Sequence, residues 1–284
     1  DAAAVLTVRP DGYQLIPIRL GDDVFDTFKA LIEVSKWEHD VSKTVIGKTP
    51  VENAVERYVE MSHGKTRYFE AGTGYPTILI HGVGYTGGGH GFFLNIGPLS
   101  SKLRVLAVDC LGWGEGDVLE QEYSFAYLVD FLREFQDALG LPKTNLVGHS
   151  MGGRAALAYA SQNTDLMKAL VVLDMAPQVE RDEVDSIAGW RRLPAETDSF
   201  EEFVEAAHNL NPRRTVEQLR GSLAHQLRQY ESGKWSWKWD PALRQADTSG
   251  WTTERLWDAV SNIKCPVLMV RGGDSGLISD ATIE

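Results

Sequence analysis

Ser150 is the residue with the clearest chemical potential. It stands in Asn145-Leu146-Val147-Gly148-His149-Ser150-Met151-Gly152-Gly153, a G-x-S-x-G pattern directly after a short apolar strand. Glycines two before and two after the serine permit a very tight strand-to-helix turn where any side chain would strike the adjoining helix. A serine held there is strained, and its hydroxyl is presented to a base and a substrate. A hydroxyl is a poor nucleophile until a base takes its proton, so Ser150 requires a histidine and an orienting carboxylate. An oxyanion formed by attack would need donors, and the Met151 amide at the helix start supplies one.

The elements around this turn alternate. Thr77–Ile80, Val105–Val108, Asn145–Val147, Ala169–Leu173 and Pro266–Val270 are short continuous apolar runs, as strands buried on both faces of a parallel sheet would be. Ser124–Leu139 places Phe125, Leu128, Phe131, Leu132, Phe135 and Leu139 at helical spacing and closes on Gly140 and Pro142. Met151–Ala160 reads as an alanine-rich helix. Arg57–Met61 and Arg67–Glu70 flank Ser62-His63-Gly64-Lys65 as a hairpin.

With these blocks in order, the chain resembles the α/β-hydrolase family from about Tyr58 onward. The resemblance rests on His81-Gly82, Asp109-Cys110-Leu111-Gly112-Trp113-Gly114, the Ser150 block, Asp174-Met175-Ala176-Pro177 and Cys265-Pro266-Val267-Leu268-Met269-Val270-Arg271-Gly272. It implies an α/β fold with a mostly parallel, doubly wound sheet. It also implies a second oxyanion donor on Val83, in a loop where His81 and Gly82 border the substrate pocket, His81 more as a shaper of the loop than as a catalyst. Two positions for the acid follow. Asp174 ends the strand after the serine helix, and Asp274 lies near the commoner family position, one place earlier than the acid usually falls, where Ser275 stands. Asp174 is preferred, with Ser275 as a hydrogen-bonding helper. The family's histidine follows a last strand, and none of His39, His63, His81, His90, His149, His208 and His225 follows Val270. The expectation is therefore a fragment of a longer protein, its histidine beyond Glu284, its last strand and helix missing and a sheet edge left unpaired.

Three regions are expected: an N-terminal extension over 1–53, a hydrolase core over 54–176 and 255–284, and a helical cap over 177–254. The extension contains a strand near Tyr13–Leu20 and an amphipathic helix from about Asp23 to Trp37, suited to a packing or homo-oligomer contact. The cap carries Trp235-Ser236-Trp237-Lys238-Trp239-Asp240-Pro241, whose alternation stacks indoles on one face of an extended segment. Trp237 and Trp190 are expected to give the pocket an apolar wall, although cap core is the commoner use of such indoles. Arg154, Arg191 and Arg192 could meet a substrate carboxylate, with surface or ion-pair roles as the plainer use.

Composition narrows the partners. The net charge of −12 over 284 residues argues against nucleic acid and anionic membrane, both of which need a basic surface. No apolar run approaches a membrane span. Cys110 and Cys265 both end predicted strands and read as buried apolar residues rather than a disulfide, consistent with a cytoplasmic protein. No cluster has metal-ligand spacing, and no metal or organic cofactor is implied. One competitor exists: Gly82-Val83-Gly84-Tyr85-Thr86-Gly87 matches G-x-G-x-x-G, with Asp109 about 22 residues beyond as the ribose acid of a dinucleotide site. Its third glycine leads into Gly88-Gly89-His90-Gly91 instead of a helix, which counts against it. The function expected is a serine hydrolase acting on an ester, lactone or thioester of a partly hydrophobic small molecule. C–C bond hydrolysis with the same triad, or a non-catalytic binding protein, is the alternative.

Overall fold

A computed structural model describes residues 3–9, 12–19, 54–84, 87–120, 122–180, 188–212, 214–247, 249–273 and 275–283. The helix expected over Asp23–Trp37 and the alternative acid Asp274 lie outside the described residues.

The apolar runs form one sheet. Its strands are β1 (Ala3–Arg9), β2 (Gly12–Arg19), β3 (Val55–Met61), β4 (Gly64–Ala71), β5 (Tyr75–Ile80), β6 (Leu103–Val108), β7 (Thr144–His149) and β8 (Met167–Leu173), with a further strand late in the chain. Among the described residues three α-helices intervene: α1 (Phe93–Ser100), α2 (Phe125–Ala138) and α3 (Met151–Gln162). After β8 the chain forms β9 (Glu196–Thr197), α4 (Phe200–Leu210), α5 (Val216–Gln226), β10 (Leu227–Gln229) and β11 (Trp235–Trp237). It then rejoins the sheet through α6 (Thr253–Val260) and β12 (Val267–Gly272), followed by α7 (Asp280–Ile283).

The order across the sheet is β2-β1-β12-β8-β7-β5-β6-β4-β3. β5, β6, β7, β8 and β12 are mutually parallel where they adjoin, and β3 and β4 form the expected antiparallel hairpin at one edge. Parallel strands bring their carboxyl ends to one rim, where α/β sheets place ligands. Ser150 follows β7, Asp174 follows β8, and Ser275 follows β12, so all three meet there.

Two expectations change. The edge beyond β12 is not left open: β1 pairs with β12 in parallel, from Ala3 opposite Val267 to Val8 opposite Gly272, and β2 caps β1 antiparallel. The row of unpaired amides and carbonyls that β12 would present is thereby satisfied from the start of the chain, and residues 3–19 belong to the main sheet. The segment between β8 and β12 is also not wholly helical, because β10, β11 and β9 form a small separate sheet in that order.

Local sequence accounts for the helices. Ser124 caps α2 by accepting from the Tyr127 amide, and Thr215 and Gln218 form a reciprocal capping box on α5. The α2 residues at helical spacing point inward, and Phe131, Leu132 and Phe135 are buried against the sheet. One contiguous apolar cluster runs from these side chains through Trp113 to Phe203, Trp237 and Trp239, so sheet and inserted segment share a core. Cys110 and Cys265 are buried and unpaired, as their apolar setting suggested. Among the described residues, no helix is long and apolar enough to cross a membrane.

Candidate active site

Ser150 occupies a sharp turn with φ 52° and ψ −116°, unusual for any residue but glycine. Its amide donates to the Leu173 carbonyl at 3.0 Å, and its own carbonyl accepts from Arg154 at 3.0 Å. The turn ties the end of β7 to the end of β8 and to the first turn of α3. The flanking glycines have specific causes: a Cβ on Gly148 would strike the Gly152 carbonyl, and one on Gly152 would strike the carbonyls of Ile80 and His81. A conformation of this kind costs about 1–3 kcal/mol and persists only where surrounding structure enforces it. Met151 begins α3, so its amide is among the leading N–H groups that no carbonyl within the helix can reach.

Asp174 is the second non-glycine residue with positive φ, at 49°. Its amide donates to the Val270 carbonyl at 2.7 Å, fixing it between the ends of β8 and β12. The Gly272 amide donates to Oδ1 at 3.3 Å, and the Ser275 hydroxyl donates to Oδ2 at 2.8 Å. The Ser275 amide in turn donates to the Gly272 carbonyl at 3.1 Å, closing a tight turn that aims the hydroxyl. His149, next to Ser150 in sequence, has its pKa lowered by burial, with the Asp174 carboxylate opposing that shift and Arg214 adding to it.

The loop after β5 is built around His81. Its ring is fully buried, Nδ1 donates to the Gly82 carbonyl at 2.7 Å, and Nε2 accepts the Cys110 amide at 3.0 Å. Burial pushes its pKa down to about 4, which suits an imidazole that must keep Nε2 unprotonated as an acceptor. His81 therefore joins the loops after β5 and β6 and has no ring nitrogen left for a ligand. Gly84 has φ 68°, and a Cβ there would come within 3.1 Å of Trp190 Cβ. Val83, partly buried, packs against the main core between these points.

Asp109 is likewise occupied. Its carboxylate is buried, accepts from Arg67 Nε at 2.8 Å, from the Gly89 amide at 2.6 Å and from the Glu115 amide at 2.9 Å. A carboxylate so engaged cannot bind a ribose hydroxyl. The helix after Gly87 begins as a 3-10 turn at Gly89–Phe92 and becomes α1 only at Phe93. The dinucleotide-site reading fails on its acid.

The expected cap residues sit deeper than a ligand-facing wall. Trp190 is 6% exposed and Trp237 5% exposed, and Trp237 Nε1 donates to the Pro194 carbonyl at 2.7 Å. Trp239 stands 5.3 Å from Trp190 and 5.4 Å from Trp237 between ring centroids, and Trp113 stands 5.7 Å from Trp239. These indoles fill the joint between inserted segment and sheet. Arg154 lies over Phe125 and donates to the Trp251 carbonyl, neither a surface nor an ion-pair role.

A pocket, partly open to solvent, lies beside Met151. Its walls include Leu111, Trp113, Tyr123, Phe125, Leu128 and Leu243, and neither Trp190 nor Trp237 lines it. Sequence periodicity assigned Phe125 and Leu128 to the core face of a helix. Only the approach of Leu243, more than a hundred residues later, turns that face into a pocket wall.

Known proteins share this architecture. The chain is 30% identical over 190 residues to esterase Rv0045c of Mycobacterium tuberculosis, covering 62% of this chain and 59% of the esterase. It is 37% identical over 124 residues to a 2-hydroxy-6-oxo-6-(2'-aminophenyl)hexa-2,4-dienoic acid hydrolase of Metapseudomonas resinovorans, covering 43% of each. The chain thus spans about half the length of the curated relatives it matches. The crystal structure of the Mycobacterium tuberculosis esterase superposes with a TM-score of 0.65 at 26% identity, over 93% of this chain and 85% of that one. The family model for the alpha/beta hydrolase fold matches residues 75–283, well over half of the sequence, and the chain belongs to the α/β-hydrolase fold family.

Proposed function

We propose that the protein is a serine hydrolase that cleaves a carboxylic ester, lactone or thioester of a partly hydrophobic small molecule through an acyl-enzyme. Ser150 Oγ attacks the carbonyl carbon, and the Met151 and Val83 amides receive the developing oxyanion. Asp174, steadied by Ser275, orients the histidine that takes the serine proton and returns it to the leaving group. No described histidine is hydrogen-bonded to Ser150 or Asp174, so that base is the component still to be identified. The single observation that carries the reading is the enforced positive φ of Ser150 at the carboxyl rim of the sheet. A strained serine there has a known use as a nucleophile and no evident structural one.

C–C bond hydrolysis by the same groups is the second reading, favoured by the 37% identity to a dienoic acid hydrolase. Treatment with a fluorophosphonate probe, followed by peptide mass spectrometry, tests the nucleophile independently of substrate. Labelling at Ser150, absent in Ser150→Ala, together with release of nitrophenol from simple esters, is the expected result. Absence of both from the full chain would leave a hydrolase-like binding protein.

A further inference from the structure

From the pocket beside Met151 we infer that this site takes an uncharged, apolar acyl chain and discriminates against chains that end in a carboxylate. The inference rests on the proposed role of Ser150 only for the chemistry that follows binding.

The pocket is a joint between two distant parts of the chain. The Phe125 amide donates to the Asp247 carbonyl at 2.8 Å, and the Asp247 amide donates to the Tyr123 carbonyl at 2.8 Å. These bonds pin the end of the inserted segment against the start of α2, with Leu243 and Ala246 facing Phe125 and Leu128 across the space. Met151, the residue after Ser150, forms another wall.

Polar recognition is lacking on these walls. The Tyr123 hydroxyl donates to Asp240 Oδ2 at 2.8 Å and accepts the Leu119 amide at 3.1 Å. Ser124 Oγ accepts the Tyr127 amide at 3.1 Å, and the Tyr127 hydroxyl is hydrogen-bonded to Ser62. Burial raises the pKa of the Cys110 thiol and holds it neutral. Among the described lining residues the one charged side chain is Asp247, which is exposed and whose Oδ1 accepts the Ser249 amide at 2.8 Å. Among the described residues, no lysine or arginine lines the pocket. A terminal carboxylate would lose its water without a cation on the described walls in exchange. A methylene chain loses nothing polar there, and each methylene buried strengthens binding about 4-fold.

Two measurements on the full chain test this. The first is kcat/KM for nitrophenyl acetate, butyrate, hexanoate and octanoate. The second is calorimetric binding of octanamide, and of octanamide carrying an ω-carboxylate, to Ser150→Ala. We expect kcat/KM to rise with chain length, and octanamide to bind at least ~10-fold more tightly than its carboxylate analogue. Ala246→Phe, which fills the pocket, should lower the octanoate-to-acetate ratio at least ~10-fold and abolish octanamide binding. Leu128→Ala, which enlarges it, should move the preference to longer chains. Equal binding of the two amides, no octanamide binding, or a flat length series in an active enzyme overturns the inference. Octanamide binding blocked by Ala246→Phe, in a protein that hydrolyses no ester, retains the pocket and removes the proposed reaction.

Discussion

Ser275 and Asp174 are 101 residues apart in the chain, and the Ser275 hydroxyl donates to the Asp174 carboxylate at 2.8 Å. The contact ties the turn after β12 to the turn after β8, one strand away from Ser150. It also fixes the orientation of a carboxylate whose backbone is held at positive φ.

This geometry gives the first prediction. Asp174→Ala should reduce kcat/KM for ester hydrolysis by roughly 10³–10⁴-fold, the scale seen when an orienting acid is lost. Ser275→Ala should cost about 10-fold, as one charge-assisted hydrogen bond disappears. Asp274→Ala should stay within a few-fold. Steady-state kinetics on the three variants decides it, and equal losses for the two aspartates would remove Asp174 from its role.

The elbow predicts a stability effect separate from catalysis. A methyl group on Gly152 meets the backbone carbonyls of Ile80 and His81, which cannot rotate away as a side chain can. Gly152→Ala should therefore destabilise the fold by about 1–3 kcal/mol, as overpacking does. Urea denaturation is the measurement, and an unchanged midpoint with unchanged slope would contradict the packing described.

The buried imidazoles predict how stability responds to acid. His81 and His225 are both pushed down to about 4, chiefly by burial, whereas an unfolded chain protonates its histidines near 6.5. Between these values the unfolded state binds more protons than the folded one, so stability rises with pH across this window and is lost as pH falls through it. His81 alone contributes a slope of up to about 1.4 kcal/mol per pH unit. His81→Gln should flatten the fall in melting temperature between pH 6.5 and 4, and an unaltered profile would show that His81 does not titrate as its burial requires.

Two ion pairs offer a contrast. Arg67 and Asp109 are paired with side chains 5% and 0% exposed, whereas Arg133 and Asp137 are 51% and 56% exposed. Asp109→Asn leaves a buried guanidinium with only the more exposed Glu56 carboxylate, 3.5 Å away, and should cost about 3 kcal/mol. Asp137→Asn should cost no more than about 0.5 kcal/mol. Denaturation midpoints for both variants, taken in the same buffer, would show the difference. Similar values would mean that Glu56 alone satisfies Arg67.

Much of this organisation was legible in the residues themselves. The G-x-S-x-G spacing, the continuous apolar strands and the helical spacing of Phe125, Leu128, Phe131 and Phe135 are local patterns. Each constrains backbone angles or face within a few residues, and each survives into the structure. Asp174 and Ser275 were also placed near one another, because both follow strands that a parallel sheet brings to a common rim.

The remainder depended on which segments meet. Nothing in Ala3–Arg9 states that it pairs with β12, since strand pairing is satisfied by any suitable edge and only the folded sheet shows which one is open. Trp237 could have faced a ligand or the core, and its burial follows from the arrival of Trp239, Phe203 and the Pro194 carbonyl. The pocket is the clearest case. Phe125 and Leu243 are ordinary apolar residues in their own segments, and they enclose space together because the Asp247 backbone bonds to Tyr123 and Phe125. Local pattern determined the turns and faces of this protein, while contacts across long stretches of chain decided which apolar faces close on each other and which leave room for a substrate.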